Sequence, residues 1–236
     1  VVPGGKGGGR AVASAPPAPP RRMPPPAPRG GEAAIRLVGI GGTGVVSVAQ
    51  LLGTAAMLDG RRSRGLDQTG LAQKGGTVVS DILIFEGDDD RPGRAGTGGV
   101  DAYLALDLIG ATDPGHLRAA DRERTVAVVS TGMVPTGSMV VDPATHTTDL
   151  GSPIASLESR TRRELNVYLD AEGMAQALFG DHLQANTIVV GAAWQRGLIP
   201  LSLEAIERAV RHSGGKTADR TVAAFHWGRA VVADPE

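Results

Sequence analysis

The chain has 236 residues, 41% of them hydrophobic and 21% charged, which is enough for one globular domain with a sizeable core plus an additional segment. Its formal net charge of −1 argues against binding to nucleic acid or to an anionic membrane surface, because both depend on clustered Lys and Arg. The absence of cysteine excludes disulfides, thiolate-ligated iron–sulfur clusters and Cys-type zinc sites within the chain. It also suits a reducing compartment, and no apolar run approaches the roughly 18 residues of a membrane span. The sequence therefore predicts a cytoplasmic protein that binds neither nucleic acid nor a membrane.

The first 32 residues differ in composition from the rest of the chain. Sixteen of these 32 residues are Pro or Gly, and no acidic residue precedes Glu32. Such a segment buries too little apolar surface to offset its ordering entropy, so we predict a disordered linker over residues 1–32 and a folded domain over residues 33–236. Because the chain starts with Val, we also expect it to be a piece of a longer protein.

A glycine-rich turn between a strand and a helix opens the folded part. Residues 35–38 predict a strand, four glycines follow within residues 39–44, and an apolar helix is predicted over residues 43–58. The unpaired N–H groups and the dipole of a helix's first turn attract an anion, and glycine lets the backbone approach it closely. The candidate cofactor-binding residues are Gly39, Gly41, Gly42, Thr43 and Gly44.

The turn matches the dinucleotide-binding fingerprint Gly-x-Gly-x-x-Gly, but the residues after it do not complete that fold. A dinucleotide site needs an acidic residue at the end of a second strand, where it hydrogen-bonds the ribose. Asp59 has the right distance from Gly39, yet it belongs to an Asp-Gly pair that ends the helix, and the residues after it make a poor strand. Three interpretations stay open: a dinucleotide site, a turn that only lets the helix pack closely, and another kind of anion site.

The remaining elements indicate the fold class. Residues 61–76 are polar and punctuated by glycine, and we predict a loop there, of a length that is uncommon unless functional. The predicted strands are 77–85, 100–109, 125–130, 139–141 and 167–169, and the predicted helices are 114–120, 153–165, 171–179, 182–196, 203–212 and 217–232. This order predicts an α/β fold of three α/β/α layers around a partly parallel, mixed sheet, with a helical C-terminal part and a disordered N-terminal leader.

No set of residues indicates catalysis by the chain alone. Gly214–Thr217 is similar to part of a phosphate-binding loop, but the first glycine of that motif would fall on Val210, so we predict a helix–helix turn. The five histidines are scattered and never at metal-ligand spacing, and no carboxylate pair stands out for acid–base chemistry. We therefore predict no catalytic residue and no metal ligand.

Three stretches carry a resemblance to a known family. They are Val38–Val46 with Ala49–Gly53, Arg64–Asp81, and Ala223–Arg229. Together they resemble the gamma module of the 2-oxoacid:ferredoxin oxidoreductases, specifically the indolepyruvate branch, over about residues 34–234. The Gly-Leu-Asp-Gln-Thr-Gly-Leu-x-Gln-Lys segment at residues 65–74 is the specific part of this resemblance. Residues 212–220 depart from it, because the family usually has an Asn-Gly turn there.

The resemblance implies oxidative decarboxylation of an aryl 2-oxoacid such as indolepyruvate, with coenzyme A as acyl acceptor and ferredoxin as electron acceptor. In that family, thiamine diphosphate and the 4Fe–4S clusters lie on other domains or subunits, which agrees with the absence of cysteine here. The implied partners are a thiamine-binding domain or subunit and, through the complex, ferredoxin. We expect the isolated chain to be inactive.

The resemblance also gives the predicted loop at residues 61–76 a role. We expect it to pack against the thiamine-binding partner and to shape the entrance for coenzyme A or the active site, through Asp67, Gln68, Thr69, Gln73 and Lys74. The alternative for each residue is an ordinary solvated loop position. For the whole chain, the alternatives are a Rossmann-like NAD(P)- or FAD-binding protein and a structural interaction module without a ligand.

Overall fold

The computed structural model describes residues 18–20, 23–27, 31–40, 44–69, 76–88, 92–132 and 150–234. The strands are β1 (Ala33–Ile40), β2 (Arg62–Thr69), β3 (Thr77–Phe85), β4 (Ala102–Ala105), β5 (Val126–Ser130) and β6 (Val167–Leu169). The helices are α1 (Val45–Leu58), α2 (Leu108–Ala111), α3 (Pro114–Leu117), α4 (Gly151–Glu158), α5 (Ala171–Phe179), α6 (Ala185–Gln195), α7 (Leu203–Gly214) and α8 (Ala218–Ala233). Short 3₁₀ turns lie at Arg163–Leu165 and Gly215–Thr217.

The six strands form one mixed sheet in the order β2-β3-β1-β4-β5-β6. The strands β1, β4, β5 and β6 run parallel to one another, whereas β3 is antiparallel to both β1 and β2. Because two antiparallel pairings restore the direction, β2 runs the same way as β1. The predicted α/β class with a partly parallel sheet is confirmed.

Helices cover both faces of the sheet, which gives the predicted three layers. Alternate side chains of β1 point to opposite faces, so Ile35 and Leu37 join a large core with α1 and α5–α8, while Val38 joins a smaller core with α2–α4. Because β1, β4 and β5 are buried on both faces, their sequences are nearly continuous apolar runs. The C-terminal helices thus all lie on the α1 side.

The structure corrects the prediction for residues 61–76, because Arg62–Thr69 is a strand and not a loop. Its polar sequence had argued against a strand. However, β2 is the edge strand of the sheet, where charged side chains are tolerated, and pairing of its backbone with β3 needs no apolar pattern. Residues 70–75 lie outside the described part of the chain.

Two polar residues that interrupt the apolar pattern of β3 have partners on neighbouring strands. Asp81 accepts two hydrogen bonds from the guanidinium of Arg36, its register partner on β1, at 2.6 and 2.7 Å, and both side chains are buried. Ser80 donates from Oγ to the Asp67 carboxylate on β2 at 2.6 Å. Removing one member of a buried ion pair leaves an uncompensated charge, so the Arg36–Asp81 pair favours this register of β1 against β3.

Several predicted boundaries differ from the observed ones for local reasons. The predicted strand 100–109 ends at Ala105, because the Asp107 carboxylate accepts from the Gly110 amide and starts α2. The predicted helix 153–165 divides into α4 and a 3₁₀ turn. The helix–helix turn predicted at residues 214–217 is confirmed as the 3₁₀ connection between α7 and α8. The strand predicted at 139–141 lies outside the described residues.

The C-terminal helices α6 and α8 cross in backbone contact. Every residue of α6 except Asn186 is buried, as its nearly uncharged sequence predicted. At the crossing, a Cβ atom on Gly191 would overlap the Phe225 carbonyl oxygen, and one on Gly228 would overlap the Ile188 carbonyl oxygen. Only glycine lets the two helices approach so closely. None of the helices in the described ranges is long and apolar enough to cross a bilayer.

Part of the segment predicted to be a disordered linker contacts the domain. The Ala27 amide donates to the Gln195 carbonyl, and the Gln195 side-chain amide donates to the Pro24 carbonyl. The sequence did not predict this contact, because Pro and Gly content alone indicated disorder for the whole leader. The division into residues 1–32 and 33–236 stays a prediction.

Candidate functional site at the carboxyl edge of the sheet

The sheet register brings the glycine turn and the Gly-Leu-Asp-Gln-Thr segment to the same edge. Gly39 of β1 and Thr69 of β2 both lie opposite Val78 of β3, so they occupy one row of the sheet. With strands about 4.8 Å apart, their backbones are two strand spacings, or roughly 10 Å, from each other. We call this side, where β1, β2, β4, β5 and β6 end, the carboxyl edge. Two stretches that are distant in sequence thus meet at one edge.

The carboxyl edge includes the point where the chain switches faces. From β1 the chain enters α1 on the large-core face, and from the adjacent β4 it enters α2 on the opposite face. Between two such strands the loops diverge and leave a crevice outside the strand ends, which is where open α/β sheets bind ligands. The glycine turn lies at this crevice.

The glycine turn itself is described only at its two ends. Gly39 belongs to β1, and Gly44 is the N-cap of α1 with φ of 96°, a left-handed conformation that favours glycine. Gly41, Gly42 and Thr43 lie outside the described residues. The N-cap of α1 has no side-chain hydrogen bond within the described chain, and its first turn has no acidic residue. Its amide groups are therefore positioned for an anion or for water.

A second helix begins beside the first. The Nδ2 atom of Asn186, at the start of α6, lies 3.6 Å from the position that a Cβ of Gly44 would occupy. The N-cap of α6, Gln184, makes no side-chain capping bond within the described residues. By contrast, Asp107 and Asp170 cap α2 and α5 by accepting from backbone amides at 2.6 and 2.8 Å. Within the described residues, the starts of α1 and α6 thus lack a capping side chain, as do those of α4 and α8.

Two buried polar atoms near this edge have no hydrogen-bond partner within the described residues. They are Ser130 Oγ, at the end of β5, and Gln184 Oε1, before α6. A buried unpaired polar atom costs about 1–3 kcal/mol, so native proteins rarely retain one without a use. Sequence reasoning missed both. The only available signal was a polar Ser130 at the end of an otherwise apolar strand.

Carboxylates occupy the β5–β6 side of the carboxyl edge. The backbone of Gly132 lies against Asp170 and Glu172, such that an added Cβ would come within 3.0 Å of Glu172 Oε2. Burial raises the pKa of Glu172, His182 opposes the shift, and the nearby Asp170 and Asp107 add to it. Burial likewise raises the pKa of Asp107, against the hydrogen bond from Gly110. An anion would therefore be favoured on the α1 side and disfavoured on the α5 side.

Three of the five predicted contact residues, Asp67, Gln68 and Thr69, belong to strand β2. Asp67 is exposed, lies opposite Ser80 on the α1 face, and accepts from the Ser80 hydroxyl. Gln68 is half-buried next to it, and Thr69 ends the strand. Gln73 and Lys74 lie outside the described residues. No group of three or more His, Asp or Glu side chains that could hold a metal ion occurs within the described ranges.

Asp59 lies at the wrong end of α1 for a ribose contact. It is the C-cap of α1, and its carboxylate accepts from the Ser202 amide at 2.8 Å and from the Ser202 hydroxyl, which joins α1 to the start of α7. The 14-residue helix places it about 21 Å from Gly44. In addition, β3 separates β2 from β1, whereas a dinucleotide fold has them adjacent. The geometry does not favour the dinucleotide interpretation.

A cavity of about 260 Å³ lies elsewhere, around the amino end of β1. Its lining includes Glu32, Arg94, Asp101 and Arg124, and Arg124 pairs with Asp101 at 2.7 Å. None of the residues predicted to form a site lines it. We therefore place the candidate site at the carboxyl edge. The reason is the chemistry of the residues there, not the size of a cavity.

Comparison with known proteins agrees with this architecture. The family model of pyruvate ferredoxin/flavodoxin oxidoreductase matches residues 34–231. The indolepyruvate oxidoreductase subunit IorB of Archaeoglobus fulgidus is 28% identical over 181 residues, which are 76% of this chain and 84% of that protein. The gamma subunit of a keto/oxoacid ferredoxin oxidoreductase from Geobacter sulfurreducens superposes with a TM-score of 0.58 at 20% identity, covering 85% of this chain and 98% of that one.

A longer protein contains the same fold as one part of its chain. The 2-oxoglutarate:ferredoxin oxidoreductase from Magnetococcus marinus, solved with 2-oxoglutarate, coenzyme A and succinyl-CoA, superposes with a TM-score of 0.64 at 13% identity. The match covers 86% of this chain and 31% of that one. At such identities the structural likeness shows the fold alone. The family model, which spans most of the sequence, shows more: the chain belongs to the pyruvate ferredoxin/flavodoxin oxidoreductase family, and the predicted resemblance to gamma subunits of 2-oxoacid:ferredoxin oxidoreductases is confirmed.

Proposed function

We propose that this chain is the gamma-type module of an enzyme that oxidatively decarboxylates an aryl 2-oxoacid, such as indolepyruvate. The observation that carries the proposal is the meeting of the glycine turn and residues 65–69 at one edge of the sheet, in a chain of this family. In the overall reaction, a 2-oxoacid and coenzyme A yield the acyl-CoA, carbon dioxide and a proton. The two electrons released reduce two ferredoxins.

The module contributes binding and positioning, and other parts of the enzyme supply the redox chemistry. Without cysteine the chain cannot ligate an iron–sulfur cluster through thiolates, so the clusters belong to partner domains together with thiamine diphosphate. In this proposal the isolated chain is inactive. The partners of the proposal are a thiamine-binding domain or subunit and, through the assembled complex, ferredoxin, in the cytoplasm.

Two parts of the carboxyl edge have separate roles in this proposal. Asp67, Gln68 and Thr69, with Gln73 and Lys74 after them, contact the thiamine-binding partner and shape the entrance for coenzyme A. The exposed Asp67 carboxylate, held by Ser80, is oriented for such a contact. The start of α1, whose N-cap has no side-chain hydrogen bond within the described residues, is suited to a phosphate of coenzyme A or of another nucleotide.

The test substitutes Asp67, Gln68 and Lys74 by alanine in the assembled enzyme. We expect a fall in 2-oxoacid-dependent ferredoxin reduction of about tenfold or more, or loss of the thiamine-binding partner on copurification, since contact residues of an interface centre typically cost over 1 kcal/mol each. Arg62→Ala is the matched control, because Arg62 lies at the other end of β2 and pairs with the exposed Asp88. Unchanged activity and assembly in the triple variant would rule out the proposed contact.

Calorimetry distinguishes the remaining interpretations of the glycine turn. Titration of the chain with coenzyme A, ADP and NAD should show binding of the first two, because both carry a terminal phosphate that a helix start attracts, whereas both phosphates of NAD lie within its bridging pyrophosphate. Tight binding of NAD alone would favour a Rossmann-like dinucleotide protein. Binding of none would favour a turn that serves only close packing, and so a structural module.

A further inference from the structure

A short proline-rich stretch of the leader lies against the C-terminal end of α6. We call residues 23–27, Met-Pro-Pro-Pro-Ala, the proline segment. The 11 residues of α6 separate this contact from the carboxyl edge by about 16 Å. The proline segment therefore does not belong to the candidate functional site.

One glutamine makes both hydrogen bonds to the proline segment. The Gln195 side chain donates from Nε2 to the Pro24 carbonyl at 3.0 Å, and the Gln195 carbonyl accepts from the Ala27 amide at 3.0 Å. The intervening Pro25 and Pro26 have no amide hydrogen, so Ala27 supplies the first backbone donor after Pro24. The two contacted positions are three residues apart, which is one turn of a polyproline II helix. The spacing of the two contacts matches one face of an extended proline helix.

The Gln195 side chain is itself held in place by a buried arginine. Arg229 donates from Nε to Gln195 Oε1 at 3.1 Å. Because a guanidinium can only donate, Oε1 must face Arg229 and Nε2 must face the proline segment. Arg229 also stacks on Trp194, with its guanidinium carbon 4.7 Å from the ring centroid. The amide is therefore presented in a single orientation.

The hydrogen-bond chain continues to α7. Arg229 donates from Nη1 to His226 Nδ1 at 3.0 Å, so Nδ1 is the unprotonated nitrogen. The other nitrogen, Nε2, then carries the proton and donates to Glu207 Oε1 at 2.9 Å. This hydrogen-bond network gives a structural role to the stretch Ala223–Arg229. That stretch carried part of the family resemblance but does not belong to the carboxyl edge.

We propose that Gln195, aimed by Arg229, is a docking site for an extended proline-rich segment, and that residues 23–27 of this chain occupy it. Proline fixes φ before docking, so the proline segment loses little conformational entropy when it binds. Met23, Pro26 and Ala27 are half-buried in the contact, which adds apolar burial to the two hydrogen bonds. The leader is thus anchored beside the crossing of α6 and α8.

Limited trypsin digestion of the full chain tests the proposal, because Arg22 directly precedes the proline segment. We use two variants. Gln195→Glu keeps an acceptor for Arg229 but cannot donate to Pro24, and Ala27→Pro removes the other donor without altering any helix. We expect cleavage after Arg22 to become about fivefold to tenfold faster in each variant, the effect of losing one hydrogen bond from a docked state.

Gln176→Glu, the same substitution at an exposed position of α5, is the control and should digest as the wild type does. Amide exchange in α6 and α8 checks that each variant remains folded. Unchanged cleavage after Arg22 in both variants would overturn the docking. Faster cleavage in Ala27→Pro alone would overturn the role of the Gln195 side chain.

Discussion

The two ends of α6 carry glutamines in opposite situations. Gln184, at the carboxyl edge, is buried with no partner for Oε1 among the described residues, whereas Gln195 uses its side chain and its carbonyl for partners from α8 and from the leader. The carboxyl edge also has a buried hydroxyl, that of Ser130, with no partner among the described residues, and two carboxyl groups, Asp107 and Glu172, with raised pKa values. Native proteins rarely leave buried polar groups unsatisfied without a reason, so the contrast separates the Gln184 end of α6, at the candidate site, from the structural Gln195 end.

The contrast predicts that substitutions in the contact between α6 and α8 destabilise the fold. Removing a charge from the carboxyl edge should not destabilise it. The largest effect is expected for Gly228→Ala. Its Cβ would overlap the Ile188 carbonyl oxygen, and a backbone atom cannot move aside, so the free energy of unfolding should fall by about 3 kcal/mol or more. Urea unfolding followed by circular dichroism measures it.

The control for Gly228→Ala is Gly53→Ala, another helical glycine. A Cβ there would make only ordinary contacts, at 3.6 Å from Ser63 Oγ. The gain in helix propensity should then stabilise the protein by about 0.5–1 kcal/mol. Equal effects of the two substitutions would show that helix propensity, and not the close crossing, governs both sites.

An intermediate effect is expected for Arg229→Met. The substitution leaves Gln195 Oε1 and His226 Nδ1 buried without their donor and removes the stacking on Trp194. Chemical denaturation should show a loss of about 2 kcal/mol. The exposed Arg211, which pairs with Asp219, is the control, and Arg211→Met should cost no more than about 0.5 kcal/mol. Similar losses of unfolding free energy in both variants would contradict a structural role for the hydrogen bonds of Arg229.

The smallest effect, and of opposite sign, is expected at the carboxyl edge for Glu172→Gln. Because burial raises the pKa of this carboxyl above its ordinary value of 4.5, the folded state binds its proton more tightly than the unfolded state does. Stability is therefore lost as the pH rises from 4.5 through the folded pKa. The variant lacks this loss, so it should be more stable than wild type at pH 7, by up to about 0.5 kcal/mol, and no more stable at pH 4.

Denaturation of wild type and Glu172→Gln at both pH values measures this difference. The exposed Glu123→Gln is the control and should leave stability unchanged at either pH. A destabilising effect of Glu172→Gln at neutral pH would mean that the carboxylate makes a favourable structural contact. The division between the two ends of α6 would then fail.

The sequence alone determined the elements whose pattern is local. The strand, glycine turn and apolar helix that begin the domain follow from consecutive residues, and the burial of α6 follows from its lack of charge. The fold class and the family resemblance also depend on such stretches. The two predicted candidate stretches lie at one edge of the sheet, and their use as a site stays a prediction.

Only the tertiary structure decided the features that depend on residues far apart in the chain. The edge strand β2 exists because β3 pairs with it, and Asp81 is tolerated in a buried strand because Arg36 lies opposite it. Ser130 and Gln184 become unusual only once packing has buried them, and Gln195 meets Pro24 across 171 positions of sequence. Backbone pairing and polar satisfaction are properties of the packed chain, so no local pattern of side chains records them.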